Sequence, residues 1–217
     1  MAERTIFIPD KHILCFEENY TFPWAPGLSK KQRQKSLASL NEVILTHHPK
    51  AKLLDISRYS FEELGSQLSA FHLTIESTSG EKMPVECAYH GSKITKEYGH
   101  LTDIYSKTSM EAKKDRRHHE GTLLGFKFDD LHFPLSDPRT AFYNYIYITA
   151  LTQHPDLADQ LMNYDIFTDI MFSCRNASAC QAQACAIYVA LKKSDSLEHA
   201  LASRENFINT VYPFINK

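Results

Sequence analysis

One eight-residue stretch carries a carboxylate, a phenol, an imidazole and an amine: Glu86, Tyr89, His90 and Lys93. A carboxylate can steady a developing positive charge or activate water. An amine can donate a proton or, once deprotonated, attack a carbonyl carbon. Pro84 suits the first turn of a helix, so a helix is expected from there through Lys93. At about 100° per residue the four side chains then fall within roughly 80° of one another. Glu86 and Lys93 would stand two turns apart, roughly 10 Å along the axis, too far for an ion pair but suited to gripping two ends of one ligand. The opposite face holds Cys87, Ala88, Gly91 and Ser92, all small, and is expected to be buried against another element. The polar face then looks into a groove or into solvent, and both readings are open.

The surrounding elements must position that stretch. Leu68-Ser69-Ala70-Phe71 lies upstream, followed by an alternating strand over residues 72–76 and a turn at Ser77-Thr78-Ser79-Gly80. Nearer the start, Thr5-Ile6-Phe7-Ile8 predicts a short strand ended by Pro9, and residues 16–27 an irregular packed loop. Ser29 caps a helix to about residue 47, with Leu37, Leu40, Val43 and Ile44 as its apolar stripe. Its first turns hold Lys30, Lys31, Arg33 and Lys35, where the helix dipole prefers anions. Those cations are either a solvated face or a phosphate contact, because a bound phosphate would relieve the arrangement.

Residues 53–57 predict a strand and 61–68 a short helix. Arg116, Arg117, His118 and His119 form a second basic cluster, and adjacent histidines on a helix do not converge on a metal. A helix opened by Asp137-Pro138 and running to about residue 153 is crowded with Phe142, Tyr143, Tyr145, Ile146, Tyr147 and Ile148, as a core helix is. Further helices are expected over residues 155–163, 178–192, 196–202 and 203–212. Many helices with a few strands that do not alternate with them predict a helix-rich α+β fold, in one domain over residues 1–217.

The order of these motifs resembles the NADAR superfamily: a Leu-Ser-Asn-Phe segment, a short strand and turn, then Glu-His-Tyr with a lysine seven residues after the glutamate. Glu86 and Lys93 reproduce that step, while Ala70 stands for the usual Asn and Cys87 for the usual His. Tyr164-Asp165-Ile166-Phe167-Thr168-Asp169-Ile170 and Cys180-Gln181-Ala182 resemble the closing motif of the branch that accompanies DarT-type DNA ADP-ribosyltransferase toxins as antitoxin. Phe133 and Ala179 stand where relatives often carry Trp and Asn. The resemblance implies a NADAR-like fold and a hydrolase that removes ADP-ribose from guanine in DNA, single-stranded DNA above all, with a DarT-type toxin as a further partner.

Breaking an N-glycosidic bond builds positive charge at the anomeric carbon. Glu86 and Asp169 are the candidates to stabilise it and activate water, with Lys93 as acid or imine-forming nucleophile. Asp165 competes with Asp169 if the segment is helical, and either aspartate is equally suited to a cap or turn. Ser69, Phe71, Tyr89, His90, Asp165 and Gln181 are candidate substrate contacts, and Lys30, Lys31, Arg33 and Lys35 candidate DNA or phosphate contacts. The competing readings are a glycosidase for riboflavin-pathway intermediates, and a non-catalytic binder of ADP-ribosylated nucleic acid. The departures at Ala70 and Ala179 each remove a possible polar contact.

Composition narrows the field. With 217 residues, 43% hydrophobic and 23% charged, the chain has the balance of an ordinary globular protein. A net charge of −2 excludes a broadly cationic DNA binder but not a local basic patch. Five cysteines without CxxC spacing argue against a disulfide framework or zinc site, and Cys174, Cys180 and Cys185 are expected reduced on a helix. No metal and no cofactor is expected, since GxGxxG, P-loop, GxSxG and HExxH are all missing. No apolar run is long enough for a membrane span and Met-Ala-Glu-Arg does not open a secretory signal, so a cytoplasmic location is expected.

Overall fold

A computed structural model describes residues 1–172 and 179–213. In chain order the elements are β1 (Ala2–Asp10), β2 (Leu14–Phe22), α1 (Lys30–His47), β3 (Leu53–Asp55), α2 (Glu63–Gln67), β4 (Thr74–Glu76) and β5 (Lys82–Pro84). Then follow α3 (Val85–Gly91), β6 (Lys93–Thr95), β7 (Gly99–His100), α4 (Ser109–Lys114), α5 (Arg117–Glu120), β8 (Leu123–Phe128) and β9 (Leu131–Pro134). The chain ends on α6 (Ala141–Thr152), α7 (Pro155–Leu161), β10 (Ile166–Thr168), α8 (Gln181–Lys193), α9 (Leu197–Leu201) and α10 (Arg204–Val211). The fold is α+β, as expected. Its contacts group into two units, Met1–Ser69 with Pro155–Asp195, and Ala70–His154 with Ser196–Lys217.

The first unit is built on a sheet in the order β2-β1-β10-β3, with β3 parallel to β10 and the other neighbours antiparallel. β1 is longer than its apolar tetrad predicts and runs through Pro9. Only Ile6 and Phe7 pair with β10, so Pro9 lies past that ladder, where a missing N–H is tolerated. The predicted loop over residues 16–27 is instead largely strand, because β2 pairs with β1 along its whole length. Its polar Glu17-Glu18-Asn19 run hides the alternation, and as an edge strand it needs only one buried face. Asp10 makes the turn between them by accepting the N–H groups of His12 (2.7 Å) and Ile13 (3.0 Å). Helix α1 matches its prediction: the Ser29 hydroxyl accepts the Gln32 N–H, and Leu37, Leu40 and Ile44 are fully buried. They pack with Ile6, Tyr20, Phe22, Ile166 and Ile170.

In the second unit β4 and β5 form a hairpin through the predicted turn, with Gly80 in the left-handed region (φ 84°) that an L side chain resists. A second sheet has the order β7-β6-β8-β9. α6 begins at Ala141, three residues beyond Pro138, and is buried on nearly every side, as its aromatic density predicts. Phe133 packs against Phe142 and Tyr145, ring centroids 5.4 Å apart in each case, so this position is core. The C-terminal helices α9 and α10 fall within the expected segments. α8 begins at Gln181; Ser178 and Cys174 lie outside the described residues.

Candidate active site

Helix α3 is short because its second half turns into a strand. It ends at Gly91, and Lys93 opens β6, pairing with Phe126 of β8. The continuous helix through Lys93 predicted from the spacing is therefore corrected, and with it the two-turn separation. Backbone fixes the start of α3: Val85 N–H donates to Leu73 O and Glu86 N–H to Ala70 O, both at 2.9 Å. Ala70 of the Leu-Ser-Ala-Phe segment, and Leu73 two residues past it, thus satisfy helix-end donors with main-chain carbonyls, which any residue supplies. Ala70 in place of Asn leaves that contact intact.

The small face is buried, as predicted. A Cβ at Gly91 would sit 2.3 Å from the Tyr105 ring, so only glycine admits that ring. Cys87 is fully buried, and its thiol, pushed up to about 11 chiefly by burial, donates to Lys107 O at 3.0 Å. The polar face is buried too, which excludes the solvent-facing one of its two readings: Glu86, His90 and Lys93 are each only 9% exposed and Tyr89 6%. Four polar side chains within eight residues would not be desolvated together without a reason.

Their geometry shows what each can do. His90 Nε2 lies 3.5 Å from Glu86 Oε1, and burial lowers the imidazole's pKa, favouring the neutral ring. The Lys93 ammonium sits 5.0 Å from the Tyr89 ring centre. Burial pulls its pKa down to about 8, against the opposing charge of Glu86. Tyr89 is itself enclosed, stacked on Phe126 (5.7 Å) and Phe142 (6.3 Å) and edge-on to Tyr143 (5.2 Å). That ring supports Lys93 and is not an open platform for a base. Phe71 is half-buried, with Ser109 Oγ donating to its carbonyl (3.0 Å) and Lys113 Nζ 5.1 Å from its ring centre.

Sequence reasoning missed His118. Its ring stacks on His90 at 4.2 Å, and its Nε2 donates to Ala112 O at 3.1 Å. Burial, with the nearby Lys93 charge, lowers its pKa to about 3. The adjacent pair of histidines was the available signal, but read only as a failed metal site. Within the second basic cluster Arg117 is neutralised: it donates to both Asp103 oxygens (3.0 and 2.7 Å) and to Asp115. A cavity of about 480 Å³ in this unit lies elsewhere, lined by residues such as Lys82, Gln153 and His154.

In the first unit Ser69 is buried just after α2. Asp169 is buried at the end of β10, its carboxylate accepting Met171 N–H (2.9 Å) and Gln181 Nε2–H (3.0 Å). Gln181 also donates to Ile56 O. The segment is strand, so Asp165 does not share a helical face with Asp169; four residues of strand span roughly 13 Å. Asp165 is exposed and accepts Lys52 N–H at 2.9 Å, fixing the entry to β10. Lys30, Lys31 and Lys35 are exposed on α1. Arg33 is not: its guanidinium lies 4.9 Å from the Trp24 ring centre, as does that of Arg4. Arg33 is half-buried against an aromatic ring, whereas the three lysines are solvated. Among the described residues no cluster of His, Cys, Asp and Glu could hold a metal, and no helix is long and apolar enough to cross a membrane.

Glu86 on α3 and Lys93 at the head of β6, seven residues on, follow the Leu-Ser-Ala-Phe segment in the order that the resemblance describes. The comparison is more specific. The family model of the DarT1-associated NADAR antitoxin matches residues 2–217, and the chain belongs to that family. No curated protein matches it.

Proposed function

We propose that the protein is a cytoplasmic antitoxin enzyme that cleaves ADP-ribose from guanine bases in DNA, reversing the modification made by a DarT-type toxin. The observation that carries this reading is Lys93. With a pKa near 8, roughly a tenth of it is free amine at pH 7, against well under a thousandth for an ordinary lysine. Such an amine can attack the anomeric carbon as its bond to guanine breaks, the guanine leaving with the proton that the amine loses; water then hydrolyses the resulting lysine imine of the opened ribose, releasing ADP-ribose and the free amine. Glu86 supplies negative charge as the anomeric carbon becomes cationic, and Asp169 is assigned water activation. His90, neutral and beside Glu86, orients the carboxylate; Gln181 holds that of Asp169. The reading needs no cofactor or metal. Lys30, Lys31 and Lys35 remain free for DNA phosphates.

The test is release of ADP-ribose from a single-stranded oligonucleotide carrying one ADP-ribosylated guanine. Multiple turnovers are expected. Tight binding without release would leave a non-catalytic binder, and release from a free modified nucleoside alone would favour a small-metabolite hydrolase.

A further inference from the structure

We propose that Asp55, acting with Arg4, is the positioning residue of Asp169. The inference rests on the reading of Asp169 as a catalytic carboxylate. Asp55 is 6% exposed, and one of its oxygens, Oδ2, accepts from Thr168 Oγ1 (3.1 Å) and from the Ile170 N–H (2.8 Å). Those two residues are the immediate neighbours of Asp169 in the chain. Its other oxygen accepts the Ser57 hydroxyl. Arg4 Nε donates to Ile170 O at 2.8 Å, so the Ile170 peptide groups are held from both sides. β3 reinforces the grip, since Ile56 N–H donates to Thr168 O (2.7 Å) and Ile56 O accepts the Gln181 amide that also reaches Asp169.

A carboxylate is an expensive thing to bury, and a surface cap would serve a plain turn. Here it spans the two positions that flank one buried acid. Burial pushes the Asp55 pKa up, against the hydrogen bonds it accepts. Asp55 touches no substrate in this reading. It fixes the direction in which Asp169 points.

Turnover on the modified oligonucleotide tests this in five variants. Asp55→Ala is expected to lower kcat on the order of tenfold or more, with KM little changed, because misplacing a catalytic group affects the reacting geometry. Asp55→Asn should recover most of that loss, since one amide oxygen can still accept from both Thr168 and Ile170. Asp55→Ala placed on Asp169→Asn should add no further loss. If Asp55→Ala does not fold, Thr168→Val removes one donor and should lower kcat in the same direction. Wild-type kcat in Asp55→Ala or Thr168→Val, beside an Asp169→Asn that is slowed but still measurable, overturns the positioning role. So does an Asn variant as slow as the Ala variant, or additive losses in the double mutant. Near wild-type turnover in Asp169→Asn instead overturns the catalytic reading itself.

Discussion

Helices α1 and α3 carry polar side chains under opposite conditions. In α1, 18 residues long, the lysines project into solvent and a separate apolar stripe does the packing. Its propensity, cap and period all agree, and its charges are free to be solvated. In α3, seven residues long, every side is buried, and Glu86 and His90 are held inside with Lys93 just beyond the helix end. Solvated charge can be altered at little consequence to the fold. Buried charge is unfavourable unless it is paired or used, which is why the proposed chemistry is placed at α3 and not at α1.

The sharpest break of this contrast comes from Glu86→Gln. It keeps size and most hydrogen-bonding capacity while removing the charge needed in the transition state. Turnover is expected to fall by about a hundredfold or more with ADP-ribose binding retained. Near wild-type release of ADP-ribose would refute the carboxylate's role. Lys93→Ala should be comparably slow. Borohydride added during turnover should trap an adduct on Lys93, located by peptide mass; an inactive Lys93→Ala with no adduct would reduce Lys93 to an acid or an electrostatic group.

Lys93 also predicts a dependence of stability on pH. Its pKa in the folded protein, about 8, lies below the ordinary 10.5. Between those values the unfolded chain binds more protons than the folded one, so this group makes stability rise with pH from about 8 towards 10.5. Below pH 8 the full penalty is present, about 3 kcal/mol. Lys93→Met, of similar reach, is therefore expected to be more stable than wild type by up to that amount at pH 7, with the gap closing by pH 10. Denaturant titration of both proteins measures it. An equal gap at both pH values would mean that burial is not what shifts this lysine.

The same contrast explains how much could be read in the sequence. α1 was legible because cap, stripe and length are local signals, and α6 because ten buried residues out of twelve leave little ambiguity. The residue types of α3 and its buried small face were legible, but not the break after Gly91, which depends on Lys93 pairing with Phe126 33 positions away. β10 was read as a possible helix because three strand residues carry no period; pairing with β1 and β3 decides it. Asp55 and His118 went unseen for one reason. Their significance lies in partners distant in sequence, Thr168 and Ile170 for the first and His90 for the second, which no local pattern reports.

The smallest expected effects belong to α1, and they separate its cations into two kinds. Arg33→Gln loses the contact with Trp24 and should lower stability by about 0.5–1 kcal/mol, with little change in DNA binding. Lys31→Gln with Lys35→Gln should leave stability within about 0.5 kcal/mol, since both are exposed. If these lysines meet DNA phosphates, each lost contact should flatten the log–log dependence of single-stranded DNA binding on salt by roughly one unit, so roughly two for the pair. Binding of free ADP-ribose should be unchanged in that variant. A salt titration of wild type and the double variant, each with the same unmodified oligonucleotide, gives both slopes. Equal slopes would make the lysines a solvated face, and a hydrolase of small riboflavin-pathway intermediates would then explain α1 as well as an enzyme on DNA does.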